Sequence, residues 1–485
     1  MKSDDFMDSM SHIDDKLISD AEKLRKGKAA KKSRLWVKLV AAAACISLIV
    51  TGIVFVPRYL PMNNASDGSN SGVLSIGSKY LLAKAVYPEA AEYPDIFSTD
   101  DEQYDTWFDV RRENIQTARK YSDKMIDFCQ STAKEILDSN GENKVYSPLN
   151  VYFALSILAE TTDGESREQI LKLLGSDKIE NVRTTANEIW NAQYKDDKTG
   201  LCVLANSLWL SDSYSDFKED TLKTVAENYY ASSFSGNMTD ENFNKARQEW
   251  VNAQTGGLLK ESADNLKFSP QTVMNLTSTI NYQVRWQDEF SSENTYEEAF
   301  HAKSGDINCD FMHRSMLGSY YWGDGFAAVT LSLSTSGNMW LILPDEGVTT
   351  EELLQKGDAL KMIGDGEYKN TAYPLINLSV PKFDIMSNVD LTENLKKAGV
   401  EDVFDFNKSD FSPLTDEALA ITSAEHAARV AIDEQGITAS AYISLDYAGA
   451  GMPQDEVDFN LNRPFLFVIT GLGDTPLFIG VVNQP

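Results

Sequence analysis

Histidine is scarce in this chain: His12, His301, His313 and His426 are the only four in 485 residues. Hydrolytic chemistry commonly sets a histidine beside a nucleophile or a metal, and no such setting is visible. There is no Gly-x-Ser-x-Gly elbow, no His-Glu-x-x-His pair and no phosphate-binding glycine loop. His301 and His313 fall in a polar connection around Cys309, a pattern commoner for surface histidines than for metal ligands. Cysteine is equally sparse. Cys45 sits in an apolar run, while Cys129, Cys202 and Cys309 match no zinc spacing and leave at least one thiol unpaired. These three read as buried small hydrophobes, and neither a disulfide framework nor a metal or other cofactor is expected. Positive charge is in deficit, with 44 Lys and Arg against 73 Asp and Glu, for a net charge of −29. Such a surface repels nucleic acid and anionic polysaccharide, so no nucleic-acid partner is expected, and solubility accounts for the surplus. No pair of carboxylates stands out for acid–base work.

Long hydrophobic runs are also few, and the one that matters lies near the front. Eight Lys and Arg and no acid occur from Lys23 to Lys38, followed by an uncharged, mostly apolar stretch over 39–56 that Pro57 and Arg58 close. About 18 apolar residues is the lower end of what spans a bilayer. The basic block before it predicts a cytoplasmic segment over 1–38, a signal-anchor over 39–57 and everything beyond on the outer face. A cleaved signal peptide is the rival, but the basic region starts late and the apolar run is long for one. The arrangement suits a bacterial plasma membrane. Residues 62–72 form a glycine- and serine-rich tether, within an extension over 58–113 that either docks on the main body or hangs loose.

At 485 residues the chain exceeds one ordinary core of about 250–300 residues, so either it holds more than one unit or part of its length lies outside the fold. The main body is read over 114–485. Apolar residues recur at helical spacing over 114–137, predicting one long helix, and further helices are expected over 151–158, 167–174 and 390–398. Strand patterns occupy 201–210, 277–286, 327–333, 339–343, 376–380, 429–432, 465–470 and 477–482. Helices dominate early and strands late, an α+β layout with a large sheet.

Strict alternation marks one more segment. Ile437, Ala439, Ala441, Ile443 and Leu445 share one side, and Thr438, Ser440, Tyr442, Ser444 and Asp446 the other. That is a strand with one buried face, narrow in its middle, leading into the patternless Ala448-Gly-Ala-Gly-Met-Pro453.

"YSPLNVYFALSILAETTDGESREQILKLLG" (146–175), "ANSLWL", "EWVNAQTGG", "INYQVRWQDEF", "LILPDEG" and "VPKFDI" occur in that order, and "NRPFLF" with "PLFIG" follows near the C-terminus. Together these stretches, in this order and with this closing signature, resemble the serpin family. The resemblance covers about 114–485. It implies a serpin fold: a large central mixed sheet with further sheets, about eight to nine helices and an exposed reactive-centre loop. It implies no enzyme but an inhibitor of serine endopeptidases, acting as a monomer. A protease acylates itself on the loop, and the freed strand then inserts into the large sheet before the acyl bond hydrolyses. By position in the motifs, Glu434, Gly436, Ile437, Ala439 and Ala441 resemble the hinge of the loop. Ser147, Asn150, Ser278 and His426 resemble the polar shutter below it, and Trp286, with Phe290, the breach above.

Elementary physics agrees with insertion. A strand entering a packed sheet must be narrow or it overpacks, as Ala439 and Ala441 allow. Hydrogen bonds at about 0.5–1.5 kcal/mol each and buried Ile or Leu at about 1.5–3 kcal/mol give on the order of 10–20 kcal/mol before the ordering cost. Two features depart from the family. Ile437 replaces a small hydroxyl residue and would slow insertion. Asn150 and Ser278 exchange the usual serine and asparagine, and are expected to satisfy each other beside His426. Counting from Gly436 places the scissile bond at Ala450–Gly451, which fits elastase-like or subtilisin-like proteases with shallow pockets; Tyr447–Ala448 is a secondary chymotrypsin-like site. No Arg or Lys occurs from Ile437 to Glu456, which disfavours trypsin-like targets. The alternative is a non-inhibitory surface binding module, supported mainly by Ile437; an enzyme is supported only by size and carboxylate abundance.

Overall fold

A computed structural model describes residues 77–88, 101–138, 141–197, 200–214, 216–335, 337–365, 368–422, 424–437 and 455–485. The apolar run over 39–56, the tether over 62–72 and the segment 438–454 lie outside them. Among the described residues no helix is long and apolar enough to cross a membrane.

Three sheets organise the main body. The largest runs, edge to edge, β1 (Leu81–Ala83), β5 (Ala231–Gly236), β4 (Gly200–Ser211), β6 (Met274–Arg285), β16 (Gly436–Ile437), β15 (Glu425–Ile432) and β14 (Phe383–Asp390), with β3 (Lys195–Asp197) on β4. It is mixed, since β4 and β5 are parallel and its other pairs antiparallel. A second sheet runs β12 (Thr371–Ala372), β9 (Tyr320–Gly323), β10 (Phe326–Ser332), β11 (Asn338–Pro344), β18 (Phe465–Thr470), β19 (Pro476–Val482) and β2 (Lys144–Tyr146). The third runs β17 (Glu456–Asn460), β13 (Leu375–Pro381), β8 (Gly305–Leu317) and β7 (Thr295–Ala302). β18 and β19 are buried along their whole length, as continuous apolar runs require. Eleven helices accompany the sheets among the described residues, nine of them seven residues or longer.

The β7–β8 hairpin is where a polar connection was expected around Cys309. Its strands bury little beyond Phe300, Phe311 and Met312. With one face wet and polar, the alternation is too faint to read. His301 and His313 therefore sit on strands, and Cys309 is only half-buried, while Cys129 and Cys202 are buried as expected.

The helix expected over 114–137 is two: α1 (Asp101–Lys120) and α2 (Ser122–Ile136). The backbone leaves the helical region at Tyr121, with φ −111° and ψ 1°. Two anchors explain the break. Gly473, in the left-handed region at φ +62°, lets the turn before β19 press on α1, where a Cβ would lie 2.5 Å from the Arg119 nitrogen. α2 instead turns Met125, Phe128, Cys129 and Ile136 into the main core. α3 (Pro148–Thr161) is buried on nearly every side, the pattern of a central helix. Ser147 caps it, its Oγ accepting from the Asn150 N–H at 3.2 Å.

The extension does not hang loose over 77–88. β1 adds an edge strand to β5, the Ala85 N–H donates to Ser232 Oγ at 3.1 Å and the Val86 N–H to the Ala226 carbonyl. Tyr87 then packs against Trp190, Tyr194 and Tyr230, with ring centroids 5.6, 6.3 and 6.2 Å away. Tyr87→Ala should cost about 2 kcal/mol, below the full cost of a buried aromatic because the ring is only partly covered. Urea unfolding of the two proteins measures it, and a loss under about 0.5 kcal/mol would mean the strap adds nothing.

Candidate functional site

β15 ends at Ile432, and the chain reverses within three residues to form β16. Asp433 builds the turn: its Oδ1 accepts from the N–H groups of Gln435 at 2.8 Å and Gly436 at 3.1 Å, a local geometry that aspartate favours. Trp286 and Phe290 clamp it from outside. The Trp286 indole N–H donates to the Asp433 carbonyl at 2.8 Å, and the backbone N–H groups of Trp286 and Phe290 donate to the carbonyls of Gln435 and Glu434. Their rings meet edge to face at 6.2 Å. Lys382 donates to both Glu434 carboxylate oxygens at 3.2 Å. Burial pushes the Glu434 carboxyl up, but its hydrogen bonds and the Lys382 ammonium outweigh this and hold it below the usual range.

β16 itself is a two-residue strand inside the large sheet. Gly436 and Ile437 pair with Arg285 and Val284 of β6, and Ile437 also with Ile432 of β15. The fit at Gly436 is tight: a Cβ there would collide with the Val284 carbonyl oxygen and lie 2.6 Å from the Arg285 Cα. Ile437 is 2% exposed and belongs to the main core. The side chain expected to hinder insertion is thus already accommodated. Among the described residues no ladder joins β6 directly to β15; β16 is what links them.

Below this seam lies the polar cluster. His426, on β15, is buried, and its Nε2 accepts from the Ser147 N–H at 3.0 Å. Burial pushes its pKa down to about 4, so the ring is neutral and the bond makes Nε2 the unprotonated nitrogen. Ser387 on β14, unremarked in the sequence, closes the cluster by accepting from the Val145 N–H at 2.9 Å. The expected exchange between Asn150 and Ser278 is absent. The Asn150 amide atoms and the Ser278 hydroxyl are buried without a partner among the described residues.

Glu434, Gly436, Ile437 and Trp286 therefore converge at the top of the seam, and Ser147 and His426 meet beneath it. Ala439, Ala441, Ala450 and Gly451 lie outside the described residues. Sequence reasoning passed over Asp433 and Lys382. An Asp three positions before Gly436 is a turn signal that was available; Lys382 carries none, because its role exists only once β14 lies beside the turn.

Comparison with known proteins agrees with this arrangement. The family model described as "Serpin (serine protease inhibitor)" matches residues 123–485. Alpha-1-antiproteinase 2 of Equus caballus is 27% identical over 379 residues, covering 76% of this chain and 87% of that protein. An uncharacterized serpin-like protein of Thermococcus kodakarensis is 28% identical over 367 residues, covering 72% and 82%. Among solved structures, the thermophilic serpin tengpin in its native state superposes with a TM-score of 0.69 at 25% identity, covering 84% of this chain and all of that one. Thyroxine-binding globulin in complex with thyroxine shares the fold, with a TM-score of 0.65 at 22% identity over 76% of this chain and 99% of that one.

Proposed function

The chain belongs to the serpin family, and on that premise we propose that it inhibits serine endopeptidases by the loop-insertion route. The observation that carries this reading is β16: the hinge already stands as a strand between β6 and β15, which share no ladder of their own. The strand that would follow alternates in the same register from Ile437, with Ala439 and Ala441 narrow enough to pass and Ile443 and Leu445 to bury. A protease serine attacks the Ala450 carbonyl, and the Ala450–Gly451 peptide bond breaks. The Gly451 nitrogen leaves as an amine that takes up the serine's proton, and Ala450 stays on the serine as the acyl-enzyme ester. The segment after Ile437 then zips into the seam, drawing the protease away before water cleaves the ester. Elastase-like or subtilisin-like enzymes are the proposed targets, and the acidic domain is proposed to act as a monomer on the outer face of a cell membrane, held by residues 39–57.

The binding-module alternative loses its main support, since Ile437 is seated in the core rather than barred from it. Incubation of the chain with an elastase-type protease should give a complex that survives a denaturing gel. Ala450→Asp should abolish it, because a carboxylate is rejected by a shallow apolar pocket. Clean cleavage without a complex in the unmutated protein would sink the inhibitor reading.

A further inference from the structure

A groove of about 440 Å³ opens where the second and third sheets meet, between β9, β12 and β17. Phe326, 2% exposed, lies at its floor, and Trp322, 40% exposed, at its lip. Trp322 is the only tryptophan among the described residues that is so exposed. Its ring sits 5.8 Å from that of Tyr320, which in turn meets Phe459 of β17 edge to face at 6.3 Å. A tryptophan left this far in water adds little to its own fold, whereas exposed aromatic surface beside a groove is the usual anchor of a protein interface.

The opposite wall is where the chain returns after the segment 438–454. Asp455 and Val457 line it. They are fixed there by the parallel pairing of β17 with β13 and by the Asp455 carbonyl, which accepts from the Leu375 N–H at 3.0 Å. Asn377 adds a clasp, its Nδ2 donating to the carboxylates of Glu456 at 2.7 Å and Asp458 at 2.9 Å. Gly451 and Asp455 are four residues apart, and that length of chain spans at most about 14 Å. A protease–inhibitor interface covers about 800 Å² on each partner, a disc of about 16 Å radius. A protease seated on the Ala450–Gly451 bond therefore has the groove within its footprint, whatever path the intervening residues take. Charge narrows what faces it. Asp345 and Asp455 stand exposed at the rim, and no Lys or Arg lines the groove. The complementary surface is an apolar side chain flanked by a cation.

We propose that this groove is a second contact site for the captured protease, taking an apolar side chain flanked by Lys or Arg from the surface around the protease's cleft. The proposal rests on the reading of Ala450–Gly451 as the bait bond. It concerns the encounter before acylation, not the insertion that follows.

An elastase-type protease made inactive by replacing its active-site serine with alanine separates the two. It should bind the full chain with a dissociation constant of about 10 µM. Trp322→Ala and Asp345→Lys, both at exposed positions, should each weaken that binding about tenfold. With the active protease, both variants should slow complex formation about tenfold, while the number of chains consumed per protease trapped stays unchanged. No binding of the inactive protease at about 100 µM, binding that neither variant weakens, or self-association of the chain that Trp322→Ala abolishes would each overturn the docking site. Cleavage without trapping, with the inactive protease still bound and released by both variants, would remove the inhibitor reading and leave the docking site standing.

Discussion

Replacing Gly436 by alanine should expel the hinge from the large sheet. The new methyl has nowhere to go, because the Val284 carbonyl and the Arg285 Cα close the space from β6. Both are backbone at the end of β6, just past its last pairing with β4, and the Trp286 that follows is tied to the Gln435 and Asp433 carbonyls, so neither yields cheaply. Losing β16 exposes Ile437, worth about 1.5–3 kcal/mol, and two residues of ladder, at about 0.5–1.5 kcal/mol for each hydrogen bond. The expected loss is about 4 kcal/mol, read as a lower unfolding midpoint in urea. Limited proteolysis should also cut after Gln435 faster than in the unmutated chain. If the proposed mechanism holds, the same variant should shift from trapping a protease to being cleaved by it, since the first residues to insert are the ones obstructed. Unchanged stability and unchanged proteolysis would mean that β16 contributes nothing to the native sheet.

The second large effect is a loss of stability in mild acid. His426 has a folded pKa of about 4 because it is buried, against about 6.5 when unfolded. A base whose pKa is lowered on folding is neutral in the native state. The unfolded chain therefore takes up more protons as pH falls from 6.5 towards 4, and stability drains away across that window. Its contribution is complete above pH 6.5, and about 2 kcal/mol of it is gone by pH 5. His426→Gln keeps an acceptor for the Ser147 N–H but removes the titration. Urea unfolding of both proteins at pH 7.5 and pH 5 should show the unmutated chain losing about 2 kcal/mol more than the variant. Equal losses would show that His426 is not the group responsible. Since His426 lies on β15, protonation loosens one wall of the seam, and insertion should be easier in acid than at neutral pH.

Much of the architecture was legible. Strands β6, β10, β11, β13, β18 and β19 fall close to where apolar patterning put them, because each buries one or both faces in a core that has no other way to close. The β7–β8 hairpin was not legible, since only Phe300, Phe311 and Met312 mark its covered side. The break at Tyr121 was invisible for the opposite reason: helical spacing continues straight across it, and the bend answers to contacts with Gly473 and the core.

At the site, the motifs led to the right neighbourhood but not to the contacts. Gly436 and Ile437 were both singled out, one for a hinge and the other as an obstacle. Only the pairing with Val284, Arg285 and Ile432 shows that Gly436 is required by a close backbone approach and that Ile437 is a buried anchor. Asn150 and Ser278 teach a similar lesson. Their exchange looked like compensation, but whether two side chains meet depends on how α3 is rotated beneath β6.

By itself the sequence determined the inward faces of the long apolar strands and, through the resemblance its motifs carry, the family and a hinge at Glu434, Gly436 and Ile437. The faces follow from local chemistry: alternation sets a strand's face, and a wide apolar surface sets a central helix. The tertiary structure alone decided that the hinge is already inside the sheet, that Lys382 and Trp286 hold its turn, and that His426 is neutral. Each of these rests on residues far apart in the chain, whose separations are set by the packing of whole sheets and helices rather than by any local pattern.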